Sequence, residues 1–142
     1  MLVDTNVLLR ALQPGHPQHA LAVGAMKELR KRGEKLHVLP QNLVELWAVA
    51  TRPASANGLG MSTVVAGAEL YRIRRLFILL PETPPFYATW ERLVITRGVS
   101  GKAAHDARLV AGMLVHNLSS ILTFNTGDFG RYGISVVDPV SV

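Results

Sequence analysis

The segment MLVDTNVLL, at residues 1–9, contains the pattern from which the rest of the fold is predicted. Its first three residues are apolar and typical of a short buried strand, which would end at Asp4. Thr5 and Asn6 follow, and Val7 to Leu12 has the composition of a short helix. Ligands of open α/β sheets bind beyond the carboxyl ends of parallel strands, so Asp4 is a candidate site residue. The alternative is that Asp4 and Thr5 only cap the helix.

Further strand-and-helix units follow along the chain. Pro, Ser and Gly residues mark the expected starts and ends of the helices. The remaining strands are short and apolar throughout, which favours a parallel sheet covered by helices on both faces. We therefore predict an α/β fold with a central parallel sheet of about four to five strands. The later strands are predicted at 36–39, 77–80, 119–124 and 134–137, and the longer helices at 16–33, 40–51, 62–75, 84–98 and 102–117.

Composition limits the class of protein. With 142 residues, 49% hydrophobic and 18% charged, the chain is expected to form one globular domain over residues 1–142. It has no cysteine, which excludes disulfides and thiolate metal sites. Its apolar runs are far shorter than the roughly 20 residues of a membrane span, so we expect a cytoplasmic protein without membrane contact.

The chain carries a positive net charge. Fifteen Lys and Arg residues against ten Asp and Glu give a formal charge of +5. A surface of this sign suits a polyanionic partner such as nucleic acid. The alternative is that the charge serves only solubility.

Four acids fall near predicted strand ends and helix starts. Asp4 follows the first strand, Glu45 lies in the helix after the second, Asp106 is in the first turn of the helix before the fourth, and Asp128 follows the fourth. These positions can meet at one edge of a parallel sheet. Hard cations such as Mg²⁺ and Mn²⁺ prefer oxygen ligands, and phosphodiester hydrolysis uses such ions to activate water. The alternative for Glu45 is a solvated helix face.

Four motifs in this order carry a resemblance to a known family. They are LVDTNVLL at 2–9, NLVELW at 42–47, GKAAHDARLVA at 101–111 and LTFNTGDF at 122–129. Along nearly its whole length the sequence resembles a PIN domain of the VapC toxin type. The resemblance implies a PIN-like fold and a metal-dependent endoribonuclease that cuts RNA and leaves a 5′ phosphate. It also implies a small VapB-like antitoxin as partner, and we expect a homodimer.

The resemblance also implies roles for individual residues. Asp4, Glu45, Asp106 and Asp128 would form the catalytic acidic set. Asp4 and Asp106 would bind Mg²⁺, or Mn²⁺ in its place, while Glu45 and Asp128 would bind a second ion or act through water. Polar support would come from a second group, namely Thr5, Asn6, Thr123 and Asn125.

Basic residues around Asp106 are further candidates. Lys102 and Arg108 flank it and are candidates for contact with the RNA backbone, although a solvated helix face is the alternative. His105 is adjacent in sequence, but neighbours on a helix point about 100° apart, so we expect a structural or capping role. Trp90 is expected in the core and not as a platform for a base.

Two other function classes fit parts of the sequence. A PIN-like RNA-binding or scaffold module would keep the fold without cutting, but it would have no reason to gather repelling acids. A phosphate-accepting receiver domain would need paired acids after the first strand, where this chain has Asp4 followed by Thr5. We therefore favour the ribonuclease.

Overall fold

The fold is built on a five-stranded parallel sheet. The computed structural model describes all residues from 1 to 142. The strands are β1 (Leu2–Val3), β2 (His37–Val38), β3 (Ile78–Leu79), β4 (Ser120–Leu122) and β5 (Ser135–Val137). Their order across the sheet is β3-β2-β1-β4-β5, and every neighbouring pair is parallel. The predicted parallel α/β sheet is confirmed, with β1 at its centre.

Seven helices flank the sheet. They are α1 (Thr5–Ala11), α2 (His19–Lys31), α3 (Pro40–Thr51), α4 (Thr63–Leu76), α5 (Pro85–Thr96), α6 (Ala103–Val115) and α7 (Thr126–Phe129). Short 3₁₀ turns lie at Ala54–Ala56, Gly130–Tyr132 and Pro139–Ser141. No helix in the chain is both long enough and apolar enough to pass through a lipid bilayer.

Four of the predicted helix signals act as expected, whereas the signal at Pro17 does not, because α2 begins only at His19. Pro40 occupies the first turn of α3, and the hydroxyl of Ser62 accepts the N–H of Val65 at 3.2 Å at the start of α4. Gly33 and Gly98 follow α2 and α5 with φ of +85° and +57°, a conformation that glycine adopts without steric cost. The local sequence therefore defines where these helices begin and end.

Some predicted boundaries are wrong by a few residues. Helix α1 begins at Thr5, two residues before the predicted Val7, because the Asp4 carbonyl accepts the N–H groups of Val7 and Leu8. Strand β4 covers Ser120–Leu122, shorter than the predicted 119–124. The chain thus turns from strand to helix immediately beyond Asp4, which places this carboxylate at the edge of the sheet.

Two apolar layers pack on opposite faces of the sheet. Leu2 and Val3 are both fully buried, but successive strand residues point to opposite faces, and they join different clusters. Val3 packs with Leu8 of α1, Met26 of α2, Leu46 of α3 and Ile73 of α4. On the other face, Leu2 joins a cluster that includes Leu93, Val110, Met113 and Ile121. This arrangement confirms the prediction that helices cover both faces.

Candidate functional site

Asp4 lies between β1 and α1 and is buried, with 7% of its surface exposed. Its backbone occupies the N-cap position, but its side chain makes no capping hydrogen bond. One carboxylate oxygen, Oδ2, instead accepts the hydroxyl of Thr123 at 2.6 Å and the side-chain amide of Asn6 at 2.9 Å. The side chain is therefore held by a residue in the first turn of α1 and by one that follows β4, and it does not serve as a helix cap.

The polar residues beside Asp4 support one another. Asn6 Nδ2 also donates to Thr123 Oγ1 at 3.1 Å, and Asn6 Oδ1 accepts the N–H of Phe124 at 3.3 Å. The Thr123 hydroxyl further accepts the N–H of Asn125 at 3.0 Å. Asn125 thus contributes its backbone N–H to this network, while Asn6 and Thr123 contribute their side chains. The loop after β4 is fixed to the start of α1 by these bonds.

Burial raises the pKa of Asp4 to about 6 from its ordinary value of 3.8. The hydrogen bonds from Thr123 and from the Thr5 backbone oppose this rise, because they favour the charged form. The negative charges of Glu45 and Asp106 add to the rise. Asp4 therefore interacts electrostatically with two of the other predicted acids.

Both oxygens of Glu45 accept hydrogen bonds. Oε2 accepts the hydroxyl of Thr5 at 2.7 Å, and Oε1 accepts the side-chain amide of Gln41 at 2.7 Å. Thr5 is itself oriented by Asn42, whose Nδ2 donates to Thr5 Oγ1 at 3.2 Å, and Asn42 Oδ1 accepts the N–H of Leu39 at 2.8 Å. Glu45 is half-buried, and neutral donors bind both of its oxygens. It is therefore not a solvated residue on a helix face, which was the alternative.

Asp106 and Asp128 lie on the more open side of the site. Asp106 is half-buried in the first turn of α6, and Asp128 is exposed in α7. Burial raises the pKa of Asp106, and the charges of Asp128 and Glu45 raise it further, against the opposing charges of His105 and Lys102. A shallow cavity of about 260 Å³ is lined by Lys102, Ala103, Asp106, Asn125 and Asp128.

The electrostatic links between the four acids run through Asp4 and Asp106. Asp106 raises the pKa of Asp4, and Asp128 and Glu45 raise that of Asp106. No three acidic or histidine side chains lie close enough together to coordinate one ion as they stand. Carboxylates that converged without a cation would repel one another. The donor set, which consists of oxygen atoms, fits the preferences of a hard divalent cation.

The basic candidates have different surroundings. Arg108 forms an ion pair with Glu82, donates to Gln41 Oε1 at 3.0 Å, and lies over the ring of Phe86 at 5.1 Å. Lys102 is exposed and lies beside the acids in the cavity described above. The side chain of His105 is exposed, and its backbone carbonyl accepts the Gln41 amide at 2.9 Å. The indole of Trp90 donates to the Ala104 carbonyl at 3.0 Å and is partly buried.

Sequence reasoning missed three residues of the site. Gln41 and Asn42 precede Glu45 by four and three positions, and this helical spacing could have identified them. Tyr132 is buried, its hydroxyl has no partner, and burial raises its pKa, with Asp106 and Asp128 adding to the rise. No sequence signal pointed to Tyr132.

Comparison with known proteins gives consistent matches. A ribonuclease, VapC24 of Mycobacterium tuberculosis, is 27% identical over 141 residues, which cover 98% of this chain and 96% of that protein. The structure of VapBC2 from Rickettsia felis bound to a DNA fragment from their promoter matches with a TM-score of 0.72 at 13% identity, covering 96% of each chain. VapC20 of M. tuberculosis, a sarcin–ricin loop cleaving toxin, matches with a TM-score of 0.68 at 21% identity, covering 94% of this chain and 95% of that one.

These structural matches agree with the fold described above, in both the order of the strands and the layers of helices. The family model for the PIN domain matches residues 1–134, which is nearly the whole chain. The chain therefore belongs to the PIN domain family.

Proposed function

We propose that this chain is an endoribonuclease toxin of the VapC type, which hydrolyses phosphodiester bonds of RNA. The observation that carries the proposal is the arrangement of four acids: Glu45 accepts a hydrogen bond from Thr5, the neighbour of Asp4, and Asp106 and Asp128 line one cavity. Electrostatic links from Asp106 to the other three acids agree with this arrangement. The similarity to the ribonuclease VapC24 over nearly the whole chain supports it. Asp4 and Asp128 follow β1 and β4 in the chain, at the carboxyl ends of strands where ligands of parallel α/β sheets bind.

The acids suit a resident Mg²⁺ ion, for which Mn²⁺ would substitute. Asp4 and Asp106 would hold the ion directly, and Glu45 and Asp128 would hold a second ion or a water molecule. When bound, the ion supplies a positive charge that makes water a better nucleophile and offsets charge on the phosphate.

The side chains of this protein have their own tasks in the reaction. Thr123 and Asn6 both donate to one oxygen of Asp4, Oδ2. The other oxygen, Oδ1, accepts no hydrogen bond from a side chain. Thr5 and Gln41 hold the two oxygens of Glu45. Prior orientation of this kind lowers the reorganisation required when the substrate arrives.

Single-stranded or looped RNA is the proposed substrate class. With the four acids committed to the site, the rest of the chain is strongly basic, which favours a polyanion. Lys102 is the proposed phosphate contact beside Asp106, because it is exposed and lines the same cavity. Arg108 is a second proposed contact, with 35% of its side chain exposed beyond its ion pair.

A VapB-like antitoxin is the proposed partner, and a homodimer the proposed assembly, in the cytoplasm. The R. felis match is a VapBC structure, which supports a toxin–antitoxin pair. An antitoxin arginine would suit the acid set, because its planar fork forms paired hydrogen bonds with carboxylates.

A PIN-like scaffold that binds RNA without cutting is the alternative function. Its weakness is Asp4, whose buried carboxyl has a raised pKa and therefore costs stability when charged. A binder gains nothing from that cost.

Cleavage of RNA by the purified protein tests the proposal. We expect cuts that leave 5′ phosphates in Mg²⁺ or Mn²⁺, no cutting in excess EDTA, and none by Asp106→Asn. End mapping of the products identifies the cut sites. Cleavage that persists in EDTA, or that Asp106→Asn retains, would contradict the proposal, whereas RNA binding without cleavage would favour the scaffold.

A further inference from the structure

Gln41 is the second residue of α3 and is buried, with 7% of its surface exposed. Its Nε2 donates to Glu45 Oε1 at 2.7 Å and to the His105 carbonyl at 2.9 Å. Its Oε1 accepts from the Arg108 guanidinium at 3.0 Å. A glutamine amide has two donor hydrogens on one side and an acceptor on the other, so these three partners fit only one orientation. The amide is therefore fixed toward Glu45.

Arg108 determines that orientation because it is itself anchored. Its guanidinium forms the ion pair with Glu82, in the loop between β3 and α5, and lies over the ring of Phe86 in α5. Arginine offers only donors, so it can pair with Oε1 of Gln41 and never with Nε2. A chain of contacts thus runs from Glu82 through Arg108 and Gln41 to Glu45.

We propose that Gln41 is a positioning residue that holds Glu45 for cleavage, and that Arg108 acts through Gln41 by fixing its amide. The proposal rests on the proposed ribonuclease function and deepens it. With Thr5 at Oε2 and Gln41 at Oε1, the Glu45 carboxylate is restrained at both ends. Without Gln41 one end is released, and a carboxylate rotates readily about its terminal bond.

The expected signature is a loss of turnover without a loss of RNA affinity. Gln41 is buried and positions a group that acts during the reaction, so its removal lowers kcat and leaves KM nearly unchanged. Partners that orient an active carboxylate typically contribute roughly 10- to 100-fold to activity. A phosphate contact would instead raise KM and make it more dependent on salt.

Gln41→Met tests the proposal, because methionine keeps the length and bulk of glutamine and removes the amide. We expect kcat to fall roughly tenfold or more, with KM for RNA within about twofold of wild type. The matched control is Gln13→Met, since Gln13 Oε1 also accepts from an arginine, Arg10, at 3.2 Å. That variant should cleave like wild type.

Arg108→Lys separates positioning from charge attraction, because it keeps the positive charge and removes the fork. We expect it to lower kcat as well, and the double variant with Gln41→Met to lose no more than the larger single change, since both act along one path. Additive losses, or an unchanged kcat in Arg108→Lys, would overturn the role given to Arg108. An unchanged kcat in Gln41→Met would overturn the whole proposal.

The side-chain amide resonances of Gln41 give a readout that does not depend on activity. They are assigned in the wild-type protein by NMR experiments that connect them through bonds to the Gln41 side chain. We expect Arg108→Lys to shift them and Gln13→Met to leave them in place, and this carries the test if Gln41→Met folds poorly. No shift in Arg108→Lys would overturn the proposal. Wild-type protein that fails to cleave RNA would defeat the proposed function, and this inference with it.

Discussion

The two halves of the acidic site differ in how their carboxylates are held. Asp4 and Glu45 accept short hydrogen bonds from neutral side chains, and these donors are themselves oriented by other polar groups. No such donor holds Asp106, whose pKa responds to burial and neighbouring charges, and Asp128 is exposed. We call Asp4 and Glu45 the bonded pair and Asp106 and Asp128 the open pair.

The difference suggests a division of work between the pairs. Side chains locked by packing and hydrogen bonds keep their geometry before a ligand arrives. The open pair can still adjust when a cation neutralises its repulsion. We therefore expect changes in either pair to affect catalysis, and changes in the bonded pair to affect stability as well.

The largest expected effect is that of Asp4→Asn on cleavage. The amide has the same size but is a poorer ligand for a hard cation, so we expect the rate to fall by more than about 100-fold, the upper range for residues that only orient a ligand. The control is Asp138→Asn, which removes a carboxylate that caps the last 3₁₀ turn. Single-turnover RNA cleavage measures both. A rate for Asp4→Asn near that of wild type would remove Asp4 from the site.

The next effect is on the pH dependence of stability without metal. Because burial raises the pKa of Asp4 from 3.8 to about 6, the folded state holds a proton that the unfolded chain has released between these values. The free energy of unfolding should fall as pH rises from about 4 to 6, by on the order of 3 kcal/mol from this group. The raised pKa of Asp106 acts in the same direction.

Denaturant unfolding in EDTA at several pH values measures this slope. The lowered pKa values of His16 and His37 act in the opposite direction, so the useful quantity is the difference between wild type and Asp4→Asn. We expect the free energy of unfolding of the variant, measured relative to that of wild type, to be higher at pH 7 than at pH 4. Parallel curves for the two proteins would contradict the raised pKa.

A smaller effect is expected when the support of the bonded pair is removed. Thr5→Val keeps the shape of Thr5 but leaves Glu45 Oε2 and Asn42 Nδ2 without their partner. We expect kcat to fall roughly tenfold and stability by about 1–3 kcal/mol. Thr126→Val, an exposed threonine two residues before Asp128, is the matched change near the open pair and should alter neither. Equal effects of the two changes on kcat and stability would contradict the distinction between the bonded pair and the open pair.

The smallest expected effect is that of Lys102→Ala on RNA binding. An exposed lysine that contacts one phosphate should weaken affinity a few-fold and reduce the salt slope by about one. Binding of a short RNA in EDTA, measured at several salt concentrations, tests this. Lys27→Ala, an exposed lysine of α2, is the control. The same small loss of RNA affinity in both variants would mean that Lys102 contributes only to the net charge of the protein and does not contact a phosphate.

Much of the fold could be predicted because the signals are local. The short apolar strands, the proline at the start of α3 and the serine cap of α4 each act within a few residues. The positions of Asp4 and Glu45 followed from their place after predicted strands. The predicted start of α1 was wrong because the first hydrogen bonds of the helix are accepted by the Asp4 carbonyl, which lies before the first apolar residue of the segment.

The parts of the site that escaped prediction depend on contacts distant in sequence. Arg108 reaches Gln41 across 67 positions, and Thr123 reaches Asp4 across 119. Thr123 was anticipated as a polar support through family resemblance, whereas no resemblance covered Gln41. A pattern of residue types does not state which donor meets which acceptor, because that depends on how α3, α6 and the loop after β3 pack.

The most direct test of the central claim, that the four acids share one site, is the response of stability to Mg²⁺. In thermal melts at pH 7 the wild type should gain about 2.7 kcal/mol at 100 times the dissociation constant, because the ion binds only the folded state. Asp106→Asn should keep apo stability at or above that of wild type and lose much of the metal response, while Glu69→Gln, in a surface ion pair with Arg72, should keep all of it. A wild type without a Mg²⁺-dependent rise, or a full response in Asp106→Asn, would contradict the account.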